Sequence, residues 1–317
     1  MPPAAVPRGG GAPPWWIRVG RRVIPLLPAG RSRAAALVSR RPPPPFVTRM
    51  SQAAGGALFW CDLTDVISRD VCLVGAYEPQ VTRVVASVLP QCSTVVDVGA
   101  NWGYFTLMAG RLMRPNGRVL ALEPDPRMFA LLERNVALNT SSQVETLPVA
   151  AGGTPGRQTL EGFDEGAANR GVSRIRAGEQ GPTSAPTFSV AAETVDGLIA
   201  ARGLDAVDLI KVDVEGAEDA VLAGMDRGLS GHRYRRLLIE LHPTELAARG
   251  ISADACCEPL RRAGYRGWAF DHSPAAVRQA AYAPALSPSS LLTASDHVPA
   301  GDPWPHMLWL APGVEMP

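Results

Sequence analysis

Thr94-Val-Val-Asp-Val-Gly-Ala-Asn-Trp-Gly-Tyr104 is the stretch on which the fold turns. A β-branched apolar run that stops at an acid and a glycine-spaced turn predicts a buried strand over Thr94–Val98 feeding a helix over Tyr104–Met113. The helix shows apolar positions at helical spacing. Such a connection brings backbone N–H groups and a helix N-terminus close to a bound ligand.

The spacing Asp97-x-Gly99-x-Asn101-x-Gly103 lacks the third glycine of a dinucleotide fingerprint, and no Gly-Lys-Ser/Thr follows it, which argues against a pyrophosphate ligand. Asp97 suits a cationic group, such as the ammonium of a methionine moiety. A second apolar strand, Arg118–Leu122, delivers Glu123-Pro124 to the neighbouring tip, where an acid accepts both hydroxyls of a ribose. The glycine turn alone reads equally well as a tight connection; Glu123 at the next tip favours S-adenosylmethionine. The candidate cofactor-binding residues are therefore Asp97, Gly99, Asn101, Gly103, Glu123 and Pro124.

Further along, Pro126–Asn139 reads as a helix and Val144–Ala151 as a third strand. The Gly-, Arg- and Ser-rich segment from Gly152 to Thr187 exceeds an ordinary connection, with Gln158–Phe163 and Thr187–Glu193 pairing as a small hairpin. Val207–Val212 is the fourth strand, carrying Lys211, the only lysine. It delivers Asp213-Val-Glu-Gly-Ala-Glu218 to the carboxyl edge, where ligands of open α/β sheets bind. Arg236–Leu241 is the fifth strand and ends in Glu240-Leu-His242. Tyr265–Phe270 and Met307–Leu310 supply the last two. Asp213 is the first catalytic candidate, with Glu240 and His242 at the neighbouring tip. Glu215 and Glu218 open a helix, where acids are favourable for dipole reasons alone. Tyr77 and Glu78 read either as a closure over the site or as a helix entry at Pro79. Asp271-His272 and Asp296-His297 read as polar turns.

Val96-Asp-Val-Gly-Ala-Asn-Trp-Gly-Tyr-Phe-Thr106, Gly117-Arg-Val-Leu-Ala-Leu-Glu-Pro124, Asn135-Val-Ala-Leu-Asn139, Ile210-Lys-Val-Asp-Val-Glu-Gly-Ala-Glu218 and Ile239-Glu-Leu-His242 resemble the FkbM family of S-adenosylmethionine-dependent methyltransferases. The resemblance runs from about Leu58 to the C-terminus. It implies a class I, Rossmann-like methyltransferase: a doubly wound, seven-stranded, mostly parallel sheet with an antiparallel last strand. It also implies O-methylation of a sugar, glycolipid or secondary metabolite, adenine near Ala150–Gly153, and a substrate-side role for Asn169-Arg-Gly-Val-Ser173. Trp102 departs from the aliphatic residue more usual in the family.

The 317 residues, 46% hydrophobic, suffice for one large α/β domain with extensions. Nine arginines and no acid precede Met50, whereas the rest carries 22 basic against 30 acidic residues. The expected organisation is a basic, Pro/Arg-rich and disordered arm (1–50), a helical lead-in (51–93) and the cofactor-binding domain (94–317). Within the arm, Trp15–Arg41 is partly amphipathic, a pattern that touches anionic membrane surfaces or nucleic acid, although a solvated arm is the plainer reading. Five cysteines without a Cys-x-x-Cys pair argue against a disulfide framework, and no run approaches the roughly 18 apolar residues of a spanning helix. A cytoplasmic setting is expected. Asp213 or His242 taking the acceptor's proton is favoured over Mg²⁺ held by Asp213 and Glu240. The rivals are a nucleic-acid methyltransferase, disfavoured by acids where phosphate would approach, and a non-catalytic cofactor-binding protein.

Overall fold

The computed structural model describes residues 11–27, 29–139, 143–163, 172–176, 183–283 and 286–316. Helices α1 (Trp15–Val23) and α2 (Arg31–Val38) come first, then a hairpin of β1 (Phe46–Arg49) and β2 (Leu58–Cys61), then α3 (Val66–Arg69) and α4 (Pro79–Val88). The first half of the sheet follows as β3 (Thr94–Val98), α5 (Tyr104–Leu112), β4 (Arg118–Leu122), α6 (Pro126–Ala137) and β5 (Val144–Leu147). A side sheet is formed by β6 (Val149–Ala151), β7 (Gly156–Glu161), β8 (Arg174–Ile175) and β9 (Thr187–Glu193). After α7 (Val195–Ala201) come β10 (Leu209–Val212), α8 (Glu218–Ala223), α9 (Asp226–Ser230), β11 (Arg236–Glu240), α10 (Pro243–Ala248), α11 (Ala253–Cys256) and α12 (Glu258–Arg262). The chain closes with β12 (Arg266–Phe270), α13 (Pro274–Tyr282), β13 (Leu292–Ala294) and β14 (His306–Leu310).

The main sheet runs β13-β12-β14-β11-β10-β3-β4-β5. Strands β5, β4, β3, β10 and β11 are mutually parallel, and β14 is inserted antiparallel between β11 and β12. The doubly wound class I architecture is thus present, with one correction: β13 adds an eighth strand, antiparallel to β12. Strand order reverses at β3, which has β4 on one side and β10 on the other, so a crevice opens at their carboxyl ends.

Every residue of β3 is buried because helices cover both faces, which explains its unbroken apolar run. Successive side chains serve opposite layers. Val95, Leu209 and Leu238 pack with Leu107 and Met108 of α5, while Val96, Ile210 and Ile239 pack with Ile199, Val221 and Leu229 from α7, α8 and α9. The expected third strand breaks at Pro148, which has no N–H for a ladder. β5 stays against β4 and β6 leaves to pair with β9. The expected hairpin is formed by β7 and β9, registered from Gly156 opposite Ala192 to Glu161 opposite Thr187.

Within the arm, the described residues 11–27 and 29–50 depart from the expected disorder. Ile17, Ile24 and Ala35 are buried in the same core as the sheet, Arg21 Nε donates to the Cys72 carbonyl at 3.2 Å, and Arg31 Nη1 donates to the Ala281 carbonyl at 2.9 Å while stacking on Tyr282. Average composition hides this, because a few apolar residues at helical spacing suffice once a tertiary surface receives them. The outward face of this segment carries Trp15, Trp16, Val19, Val23 and Leu26. Among the described residues no helix is long and apolar enough to cross a membrane. All five cysteines are unpaired and buried.

Trp102, the departure noted above, has a tertiary partner. It stacks on Phe59 and Trp60 of β2, with ring centroids 6.1 and 5.8 Å away. Asn135 and Asn139, one turn apart on the α6 side, hold the same strand. Asn135 Oδ1 accepts from Trp60 N at 2.7 Å, and Asn139 Oδ1 accepts from Leu58 N at 2.8 Å.

Gly99 is required on two grounds. Its φ is +81°, and a Cβ there would lie 1.8 Å from the Asp213 carbonyl oxygen. Gly250, with φ +76°, has nothing within 4 Å of an added Cβ. Gly99→Ala is expected to cost about 3 kcal/mol or more, from overpacking added to left-handed strain, and Gly250→Ala about 1 kcal/mol. Urea unfolding of the two variants compares them directly; equal costs would contradict the close approach.

Candidate active site

A cavity of about 520 Å³ opens at the carboxyl ends of β3, β4, β10 and β11, a volume in the usual range for a small-ligand site. Asp97, Gly99, Asn101, Glu123 and Pro124 line it; Gly103 does not. A Cβ on Gly103 would lie 2.7 Å from Leu132 Cδ1, so this glycine serves the approach of the turn to α6.

At one end Asp97, 2% exposed, accepts from the Thr106 hydroxyl at 2.5 Å. Burial raises its pKa, partly opposed by Lys211. Glu123, 6% exposed, accepts from Asn101 N and Asp125 N, each at 2.8 Å. A carboxylate offers about four acceptor positions, so roughly two remain. Burial lifts Glu123 to about 8 against the pull of those two N–H groups. Asn101, at φ +51°, leaves its Oδ1 buried without a hydrogen-bond partner. Apolar walls come from Met128, Val149, Ala150, Ala151, Leu160 and Ile175. Of the glycines expected beside them, Gly153 packs toward α8 and Gly152 faces Gln158 of β7. Val172 and Ser173 reach the cavity, whereas Asn169, Arg170 and Gly171 lie outside the described residues.

The other end is charged. Lys211 and Asp213, two apart on β10 and its extension, meet at 2.8 Å, as their shared side predicts. Burial alone would raise Asp213, but Lys211 and His242 more than reverse it and hold the carboxyl below its ordinary range. Glu240 and His242 also line the cavity, so all three catalytic candidates converge.

His242 sits between two carboxylates. Its Nδ1 lies 2.8 Å from Glu218 Oε1 and its Nε2 3.3 Å from Glu215 Oε2. Burial opposes the imidazolium, yet Glu218, Asp213 and Glu215 raise the pKa to about 10, so the ring keeps its proton at neutral pH. Glu218, wholly buried, also accepts from Gly216 N at 2.9 Å and is a structural acid, as the helix-opening reading has it.

Sequence reasoning missed His306 and misread His272. His306 pairs directly with Glu240 across β11 and β14, a juxtaposition that only the antiparallel insertion creates. His272 is no plain turn residue, because β12 runs with the parallel strands and delivers it to the same edge. There it lines the cavity with its ring 4.9 Å from that of His306. Tyr77 and Glu78 line the wall as well, while His297 stays exposed beside Asp254.

A histidine raised from 6.5 to about 10 stabilises the folded state fully below pH 6.5 and loses that contribution as pH rises through 10. Glu123, raised from 4.5 to about 8, acts in the same direction at lower pH. The melting temperature is therefore expected to fall between pH 8.5 and 10 in the parent chain, and to fall less steeply in Glu218→Gln. Equal slopes in thermal melts would contradict the His242 clamp.

The chain is similar to several known proteins. A Methyltransferase FkbM domain matches residues 97–266. The chain is 31% identical over 181 residues to 31-O-demethyl-FK506 methyltransferase FkbM of Streptomyces tacrolimicus, covering 50% of this chain and 69% of that one. It is 33% identical over 162 residues to methyltransferase sdnD of Sordaria araneosa, covering 44% of this chain and 62% of that one. AMB antimetabolite synthetase AmbE of Pseudomonas aeruginosa is 30% identical over 209 residues, of which the match takes 56% of this chain and 10% of AmbE. The chain thus spans less than two thirds of the length of AmbE and of sdnD. Methyltransferase FkbM from Methylobacillus flagellatus superposes with a TM-score of 0.39 at 20% identity, over 69% of this chain and 43% of that one. Because the matched domain takes in more than half of the sequence, the protein belongs to the FkbM methyltransferase family.

Proposed function

We propose that the chain transfers a methyl group from S-adenosylmethionine to a hydroxyl of a small acceptor, with carbohydrate-containing metabolites as the leading class. The observation that carries this reading is the opening of Asp97 and Glu123, two buried acids on neighbouring strand tips, onto one cavity. The cavity suits such a cofactor. Gly99 leaves a backbone-lined cradle that a Cβ would fill, Asn101 Oδ1 has no hydrogen-bond partner, and Glu123 keeps lone pairs for a diol. One relative is by name a 31-O-demethyl-FK506 methyltransferase, which favours oxygen as the acceptor atom.

When bound, S-adenosylmethionine supplies a sulfonium-activated methyl group, whose transfer to the acceptor oxygen leaves S-adenosylhomocysteine and a hydroxyl proton to be removed. Asp97 and Glu123 would hold opposite ends of the cofactor, so that much of the rate would come from positioning. Asp213, steadied by Lys211 at 2.8 Å, takes the proton, with His242 as a charged clamp beside it. Acids on this rim repel phosphate, which disfavours a nucleic-acid acceptor.

Calorimetry with S-adenosylmethionine is expected to give one site per chain, weakened at least tenfold by Glu123→Ala. Asp213→Ala is expected to bind within threefold of the parent yet lose about 100-fold in labelled methyl transfer to a responsive acceptor fraction. No heat with this ligand or its demethylated product would sink the proposal.

A further inference from the structure

Three side chains converge on the wall of the cavity away from the glycine turn. His306 is 3% exposed, and its Nδ1 lies 3.2 Å from the Trp304 carbonyl. That contact places a proton on Nδ1, which in a neutral ring leaves a lone pair on Nε2. Nε2 faces Glu240 Oε2 at 3.1 Å and Glu78 Oε2 at 3.5 Å. Neither contact is aligned as a hydrogen bond, and both His306 Nε2 and Glu78 Oε2 are buried without a hydrogen-bond partner. One donor atom from each of the three residues lies within 4.8 Å of the others.

Three such groups turned toward one another need a positive charge among them, either a proton on His306 Nε2, which Glu240 and Glu78 favour by raising its pKa, or a metal ion that takes the proton's place. Separations of 3.1 and 3.5 Å match donors at about 2.1 Å from a shared ion, at angles of roughly 95° and 113°. The backbone supports the arrangement: Glu78 is held at φ +42°, a region costly for a residue with a Cβ, just before α4. A carbonyl fixing the far nitrogen of the imidazole is the usual support of a metal-binding histidine.

We infer that Glu78, Glu240 and His306 bind one divalent cation of the Mn²⁺ or Zn²⁺ class on the acceptor side of the cavity. One imidazole and two carboxylates leave coordination positions for water or an acceptor hydroxyl. An ion here orients that hydroxyl and lowers its pKa, a role that rests on the methyl-transfer reading, whereas binding of the ion does not. The earlier alternative of Asp213 with Glu240 is less suited, because Lys211 Nζ already neutralises Asp213 at 2.8 Å. The same objection meets the neighbouring set of Asp213, Glu215 and His242.

The test uses the full chain stripped with chelator and titrated with Mn²⁺ alone, following loss of the free-ion electron paramagnetic resonance signal. One saturable site per chain is expected. Glu78→Gln and His306→Gln should each weaken it at least tenfold, and Asp213→Asn should change it less than threefold. Melting curves identify the folded variants, and the near-isosteric Glu78→Gln decides the matter should His306→Gln fail to fold. Absence of saturable binding, or binding lost in Asp213→Asn but kept in Glu78→Gln, overturns the site. Failure of Mn²⁺ binding with intact S-adenosylmethionine binding removes the cation site alone; the converse removes the methyl-transfer reading alone.

Discussion

The Asp213 carbonyl occupies the space that any side chain at position 99 would need. This contact forces the turn after β3 and the loop after β10 into van der Waals register at the point where strand order reverses. The parallel pairing of Lys211 with Asp97 in the same two strands fixes how far each loop projects. The proposed cofactor cradle and the proposed catalytic acid become neighbours because two backbones touch, and the remaining elements hold them there.

Burial sets the chemistry of that junction. Among the described residues, the lining acids Glu78, Asp97, Glu123, Asp213, Glu215, Glu240 and Asp302 share the wall with Lys211, His242, His272 and His306. Burial drives Glu123, Glu215 and Glu240 upward, while ion pairing carries Asp213 and Glu78 downward. Carboxyls of similar ordinary pKa are thereby driven in opposite directions. Such an acid-rich wall favours cationic partners, whether a sulfonium, an ammonium or a metal ion.

Much of this was legible in the sequence where the signal is local. The run Thr94–Val98, the spacing through Gly103, Glu123 at the next tip and Asp213 after Ile210-Lys-Val all announce themselves within a few residues. What stayed hidden depends on distant pairing. His306 opens a strand whose partner, Glu240, is 66 positions away, and nothing near it marks chemistry. His272 resembles a turn residue because its role comes from the direction of β12, not from its neighbours. The arm misled for the opposite reason, since its proline and arginine content outweighs the few apolar residues that dock it.

The central claim is that cradle and acid belong to one site. Hydrogen–deuterium exchange with and without S-adenosylhomocysteine tests it most directly. The account predicts slower exchange, on binding, in peptides covering 97–104, 123–125 and 213–217 together. Protection confined to one of these loops, or located elsewhere in the chain, would contradict it.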